Sequence, residues 1–175
     1  KKKILKIIEL LKNLRSKSGR LFLIGVGGSA GNASHAVNDF RKLCNIDAYT
    51  PVDNVSEITA RTNDDGFENI FNNYLKLCKL NKNDILMVFS VGGGNQKKKV
   101  SVNIIKAIKF AKIKKSKIIS IVGKSDGYAY KNSDIKIMIK VKDKKLVTPV
   151  SETFQVLLWH LLVSHPKLQI NKTKW

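Results

Sequence analysis

One stretch, Leu21-Phe-Leu-Ile-Gly-Val-Gly-Gly-Ser29, constrains this chain more than any other. A short apolar run ends in a glycine-rich turn, and the helix-compatible segment Ala30-Gly-Asn-Ala-Ser-His-Ala-Val-Asn-Asp-Phe40 follows. Strand, tight turn, helix is the reading. Glycines let a backbone approach an anion closely, and the free N–H groups of a helix start favour negative charge. A phosphate is the expected guest. The turn is not the dinucleotide fingerprint, because residue 30 is alanine where the third glycine belongs, and it lacks the P-loop lysine.

Periodicity places the other elements around this unit. Ile4, Ile7, Ile8, Leu11 and Leu14 share one face of an expected helix over 4–14. Strands are expected at 21–26, 48–52, 84–90, 117–122 and 134–141, the last an edge strand. Helices are expected at 30–43, 54–62, 66–80, 102–113 and 151–164. In the 66–80 helix Phe67, Ile70, Phe71, Tyr74, Leu75 and Leu77 should face inward. The run Asp84-Ile-Leu-Met-Val-Phe-Ser90 is nearly all apolar, as a strand covered on both faces of a parallel sheet would be. Alternating strands and helices predict one three-layer α/β domain over residues 1–175, with a mostly parallel sheet: an N-terminal helix in 1–18 and the core in 21–165. Ligands of such sheets sit beyond the carboxyl ends of the strands, so the turns after Val26, Ser90 and Val122 are candidate site walls.

The net charge of +20 raises nucleic acid or an acidic membrane as partners. Against this, the only arginines are Arg15, Arg20, Arg41 and Arg61, the lysines are scattered, and aromatics are not interleaved with them. A lysine-rich solvated surface with affinity for anionic small molecules is the expectation, and nucleic acid is not. No apolar run reaches the roughly 20 residues that cross a bilayer, so no membrane partner is expected. Cys44 and Cys78 lack metal-ligand spacing and read as free thiols of a cytoplasmic protein.

Only three histidines are present. His35 and Asp39 stand one turn apart on the helix after the first glycine turn, where a local hydrogen bond would also explain them. His160 follows Glu152 by eight residues, which is about 12 Å along a helix. It reads either as a site residue or as a core histidine between Trp159 and Leu161. His165, beside Pro166, reads as structural.

Gly25-Val-Gly-Gly-Ser29, Asn63-Asp-Asp-Gly-Phe67 with Ile70-Phe71, Ser101-Val-Asn-Ile-Ile-Lys-Ala-Ile108, Val122-Gly-Lys124 and the helix bearing His160 resemble the sugar isomerase (SIS) domain family, in its sedoheptulose 7-phosphate isomerase branch. The resemblance spans 21–162. It implies a flavodoxin-like α/β sandwich and an aldose–ketose isomerase working through an enediol. It also implies a phosphorylated-sugar substrate, bound by Val26, Gly27, Gly28, Ser29, Asp39, Asn63, Asp64, Ser90, Val91, Gly92, Ser101 and Glu152. His160 and Asp39 would move the protons, and His35, Asp39, Glu152 and His160 would hold the zinc that some members carry. A homotetramer with sites between subunits is implied as well. The chain departs from the pattern at Asp39 (for glutamate), Glu152 (for glutamine), Val26 (for asparagine), Val91 and Gly92 (for hydroxyl residues), and by about six inserted residues before Ser101. Lys97, Lys98 and Lys99 of that insertion could offset the missing hydroxyls. The rival expectation is a non-catalytic SIS-domain phosphosugar sensor or replication-initiation adaptor.

Overall fold

The computed structural model describes residues 1–173. Five strands, β1 (Arg20–Ile24), β2 (Asp47–Tyr49), β3 (Ile85–Ser90), β4 (Lys117–Val122) and β5 (Ile135–Met138), form one sheet in the order β2-β1-β3-β4-β5. Every pairing is parallel. All six residues of β3 are buried, which is why its sequence shows no polar alternation. The order reverses between β1 and β3, so the loops leaving their carboxyl ends diverge and open a crevice there.

Helices cover both faces. On one side α1 (Lys2–Ser16), α2 (Gly28–Cys44) and α7 (Val147–Val163) bury Ile7, Ile8, Leu11, Phe40, Trp159 and Leu162 against Leu21, Leu23, Met87 and Ile119. On the other, α4 (Ile70–Leu77), α5 (Val102–Ile113) and the short α6 (Tyr128–Asn132) bury Phe71, Leu75, Ile104 and Ile108 against Phe22, Leu86 and Val88. The remaining helix, α3 (Val55–Asp65), is capped by Asn54, whose side-chain oxygen accepts from the N–H groups of Ser56 and Glu57.

Several sequence expectations shift. The 66–80 helix is broken: Gly66 at φ +81° leads into a 3₁₀ turn, Phe67–Asn69, before α4 begins. A 3₁₀ turn has a different residue angle from an α-helix, so Phe67 swings outward, and Leu77 is likewise exposed. α7 starts four residues before the expected Ser151, with Pro149 in its first turn, where a missing N–H costs nothing. With the preceding 3₁₀ turn it gives a helical stretch, Lys144–Val163, long and apolar enough by composition to cross a membrane. It instead lies along α2. Its Gln155 Oε1 accepts from Asn32 Nδ2 at 3.0 Å, and its Val163 carbonyl accepts from Cys44 Sγ. Strand β2 ends at Tyr49, ahead of Pro51, and α6 was not expected.

The amino ends of β1 and β3 are locked together by a bidentate ion pair. Arg20 Nη2 and Nε donate to Asp84 Oδ2 and Oδ1 at 2.7 and 3.1 Å, and the backbone N–H of Arg20 and Asn81 donate to the same buried carboxylate. Asp84→Ala leaves these donors without acceptors. It should cost about 3 kcal/mol, seen as a lower urea midpoint with an unchanged slope.

Candidate functional site

The glycine turns and the starts of α2 and α5 lie at the carboxyl ends of the strands. Gly25 ends the first strand's run, and a Cβ there would collide with the Ser29 carbonyl, so the turn closes only around glycine. Gly27 caps α2 at φ +63° without any side-chain hydrogen bond. The helix start is nevertheless not bare. The Glu152 carboxylate lies over Gly28, with Oε1 2.8 Å from where a Cβ would stand. A carboxylate at this point is favoured by the helix field. Ser29 is buried, and its Oγ has no hydrogen-bond partner among the described residues.

Farther along α2, His35 and Asp39 meet His160 of α7. The contacts Asn32 to Gln155, His35 to Trp159, Asp39 to His160 and Cys44 to Val163 ascend together, so the two helices run parallel. His160 Nδ1 is 3.9 Å from Asp39 Oδ2, and the His35 and His160 rings are perpendicular at 5.6 Å. One ligand atom from each of the three lies within 4.8 Å of the others. Asp39 is buried, with Oδ1 accepting from Asn38 Nδ2 at 3.0 Å, whereas the His160 side chain is 45% exposed. The core residue of this pair is Trp159, fully buried, with the His160 ring tilted by 30° against it at a centroid distance of 3.6 Å. The core-histidine reading of His160 therefore fails.

His160 titrates below its ordinary value. Desolvation is the largest cause, the Asp39 carboxylate opposes it, and nearby His35 adds to the lowering. The imidazole is thus neutral at neutral pH and able to accept a proton.

Two imidazoles and a carboxylate are a donor set of the kind that zinc takes. Glu152, expected as the fourth ligand, stands apart from these three. Eight residues of helix separate it from His160, and the parallel packing lays that distance out along α2, so Glu152 falls at Gly28 instead.

The second glycine turn divides the other expected substrate residues. Ser90 is buried and its Oγ accepts from the Gly93 N–H at 2.9 Å. The Val91 carbonyl accepts from Gly123, and the carbonyls of Gly93 and Gly94 accept from Ala129 and Tyr128, tying this loop to the start of α6. Gly92 lines a small cavity of about 170 Å³ with Lys98 and Lys124. Val26 and Ser101 line a separate cavity of about 550 Å³ with Phe67, Glu68, Gln96, Lys99, Val102, Asn103 and Lys106. Asn63 and Asp64 are exposed at the end of α3, Asn63 Nδ2 donating to Asp64 Oδ1 at 2.8 Å, and neither lines that cavity. Phe67, Glu68, Asn103 and Lys106 escaped the sequence reading. The available signal was the three-residue spacing of Asn103 and Lys106, which puts both on one side of the first turn of α5. A wider cleft of about 750 Å³ opens beside the amino ends of β3 and β4, lined by Lys76, Lys79, Lys82, Lys114 and Lys115, with no carboxylate or imidazole.

The SIS domain family matches residues 1–123. A phosphoheptose isomerase of Campylobacter jejuni is 30% identical over 178 residues, which cover 97% of this chain and 86% of that protein. The lincomycin biosynthesis protein LmbN of Streptomyces lincolnensis is also 30% identical, over 90% of this chain, and the chain spans 59% of its length. The solved phosphoheptose isomerase of Francisella tularensis superposes with a TM-score of 0.78 at 22% identity, covering 92% of this chain and 82% of that one. The chain belongs to the SIS domain family. Within that family its branch is that of the phosphoheptose isomerases.

Because Asp39 is the one group holding the His160 pKa up, Asp39→Asn should lower it further in metal-free protein, read from the imidazole proton shifts across a pH titration. The sign for stability follows. The fold favours neutral His160, so its contribution is present above the unfolded value of 6.5 and is lost as pH falls through that value toward the folded one.

Proposed function

We propose that this chain, a single SIS domain over residues 1–175, is a cytoplasmic aldose–ketose isomerase that interconverts sedoheptulose 7-phosphate and heptose 7-phosphate through an enediol. The observation that carries the reading is the meeting of His35, Asp39 and His160 across two parallel helices. Family membership supports a sugar-phosphate substrate.

The residues divide the work as follows. Neutral His160 takes the carbon-bound proton beside the carbonyl, and that C–H electron pair becomes the C1–C2 double bond of the enediol. Asp39 attracts the imidazolium so formed and carries the hydroxyl proton between O1 and O2. Return of the proton from His160 to the neighbouring carbon completes the exchange, leaving no net change in atoms or charge. His35 and Asp39 would hold a divalent ion such as Zn²⁺, which would polarise the carbonyl, and His160 would complete the donor set only while it is not serving as base. Glu152 and Ser29, at the glycine turn, serve the substrate rather than the metal. Phe154, Leu157 and Leu161 expose an apolar stripe on α7 beside His160, and this stripe supports a homo-oligomer, by resemblance a tetramer, with the site near its interface. An adaptor or sensor has no use for a basic imidazole poised on a buried carboxylate, which weighs against the rival.

Steady-state isomerisation of sedoheptulose 7-phosphate tests the proposal. Wild type should turn over, with Zn²⁺ raising the rate and a chelator lowering it. His160→Gln should lose about 10²- to 10⁴-fold in kcat. A wild type inert with and without Zn²⁺, in protein that still binds the sugar phosphate, would refute the assignment.

A further inference from the structure

In a parallel sheet each connection from a helix to the next strand arrives at the amino ends of the strands. Lysines distant in sequence therefore collect at the pole opposite the glycine turns. Lys76, Lys79 and Lys82 come from the end of α4 and its connection to β3, and Lys114 and Lys115 join α5 to Lys117, the first residue of β4. They line the cleft of about 750 Å³ and two narrower grooves that run into it. Lys115 is shared with one groove, Lys82 with the other, and Lys117 lines both. Nine lysines line the three together, against two carboxylates, and both acids are engaged. Asp84 is buried and paired with Arg20 at 2.7 Å, and Asp134 accepts from Lys117 Nζ at 3.1 Å and from the Ile118 N–H. Among the described residues, Lys76, Lys79, Lys82 and Lys115 pair with no carboxylate.

Helix carboxyl ends favour nearby cations, but the effect fades beyond the last turn, and Lys82 lies past the end of α4 in the loop to β3. Lys79 and Lys115 stand at φ +52° and +58°, directly after the two helices, where glycine is the usual residue. Their backbone is held by bonds from the Leu80 N–H to the Leu75 carbonyl and from the Ser116 N–H to the Ala111 carbonyl, each 3.0 Å. Apolar side chains stand out among these charges. Leu77 and Ile113, the last residues of α4 and α5, are 66% and 75% exposed. Ammonium groups around protruding aliphatic side chains suit the surface of an anionic bilayer, with charge at the headgroups and methyl groups at the acyl boundary. Nucleic acid fits less well. Arg20 is committed to Asp84 and to the carbonyls of Cys78 and Lys79, and the ring that lines the cleft, Phe110, is covered by Lys114 Nζ at 5.5 Å. Neither is left to read or stack on a base.

We propose that the amino-end pole of the sheet is a peripheral docking surface for anionic lipid bilayers, its lysines on the phosphate headgroups and Leu77 and Ile113 seated at the acyl boundary. Contact of this kind needs no spanning segment, the one membrane partnership that the length of an apolar run tests. The glycine turns, at the other ends of the strands, stay turned toward water in the docked protein. The docking surface does not depend on which reaction that opposite end serves.

The test is sedimentation of the full chain with vesicles of equal parts phosphatidylglycerol and phosphatidylcholine, against vesicles of phosphatidylcholine alone. The protein should sediment with the mixed vesicles and not with the neutral ones, and added salt should release it. Lys76→Gln, Lys79→Asn and Lys82→Gln together, with asparagine tolerated at the left-handed position, should weaken partitioning about 10²-fold. Leu77→Ser and Ile113→Ser together should weaken it about ten-fold. All five side chains are exposed, so the variants should keep the wild-type far-UV circular dichroism. A mixed-sequence DNA duplex is the competing polyanion. Failure to sediment with the mixed vesicles would overturn the docking surface, and lysine-dependent binding of the duplex in that case would make nucleic acid the partner. Vesicle binding unchanged by the three lysine substitutions would overturn it as well. Binding that needs the lysines but ignores Leu77→Ser and Ile113→Ser would reduce the pole to a general polyanion surface and overturn the lipid assignment.

Discussion

The parallel laying of α7 on α2 is the constraint from which the site follows. Asn32 Nδ2 donates at 3.0 Å both to the Glu152 carbonyl and to Gln155 Oε1, pinning the register of one helix along the other near their starts. With that register set, the helical rise does the rest. Glu152 arrives at Gly28, Trp159 reaches the core against His35, and His160 comes to Asp39. A slip of one turn, about 5.4 Å, would separate the imidazole from the carboxylate altogether. The two glycine-bearing loops matter through the same packing, because a side chain at Gly28 would displace Glu152 and one at Gly123 would strike the Ser151 hydroxyl.

Desolvation and charge act in opposite senses at His160, and desolvation prevails although the side chain is only part-buried. The Trp159 ring removes water from one face, while the 3.9 Å gap to Asp39 Oδ2 keeps the attraction modest. A neutral base beside a buried carboxylate is well suited to take a proton and return it. The same exposure that would admit a substrate also admits solvent, so a proton held on the imidazole would exchange with water.

The sequence was informative wherever one local rule decided the outcome. The strand–turn–helix unit, the apolar β3 and the alternation of elements specified a parallel sheet, and each buried face of α1 followed from Ile7, Ile8, Leu11 and Leu14. His35 and Asp39 were legible as a pair because one helix turn joins them. What was hidden depended on relations between elements. The family resemblance groups Glu152 with His160, whereas the packing of α7 on α2 sets Glu152 at Gly28 and His160 at Asp39. Phe67 points outward because a 3₁₀ turn changes the period, of which Gly66 is the mark, and Leu77 is exposed as the last residue of α4. Of the cavity at α5 the resemblance supplies Val26 and Ser101, while Phe67, Gln96 and Lys106 come from separate segments joined only by folding.

Proton transfer through His160 is the central claim, and isomerisation in D₂O tests it most directly. Sedoheptulose 7-phosphate incubated with the wild-type chain and followed by NMR should give aldose product carrying deuterium at C2, because the exposed imidazole exchanges its proton before returning it. Aldose product formed without deuterium at C2, or no product at all, would contradict the account.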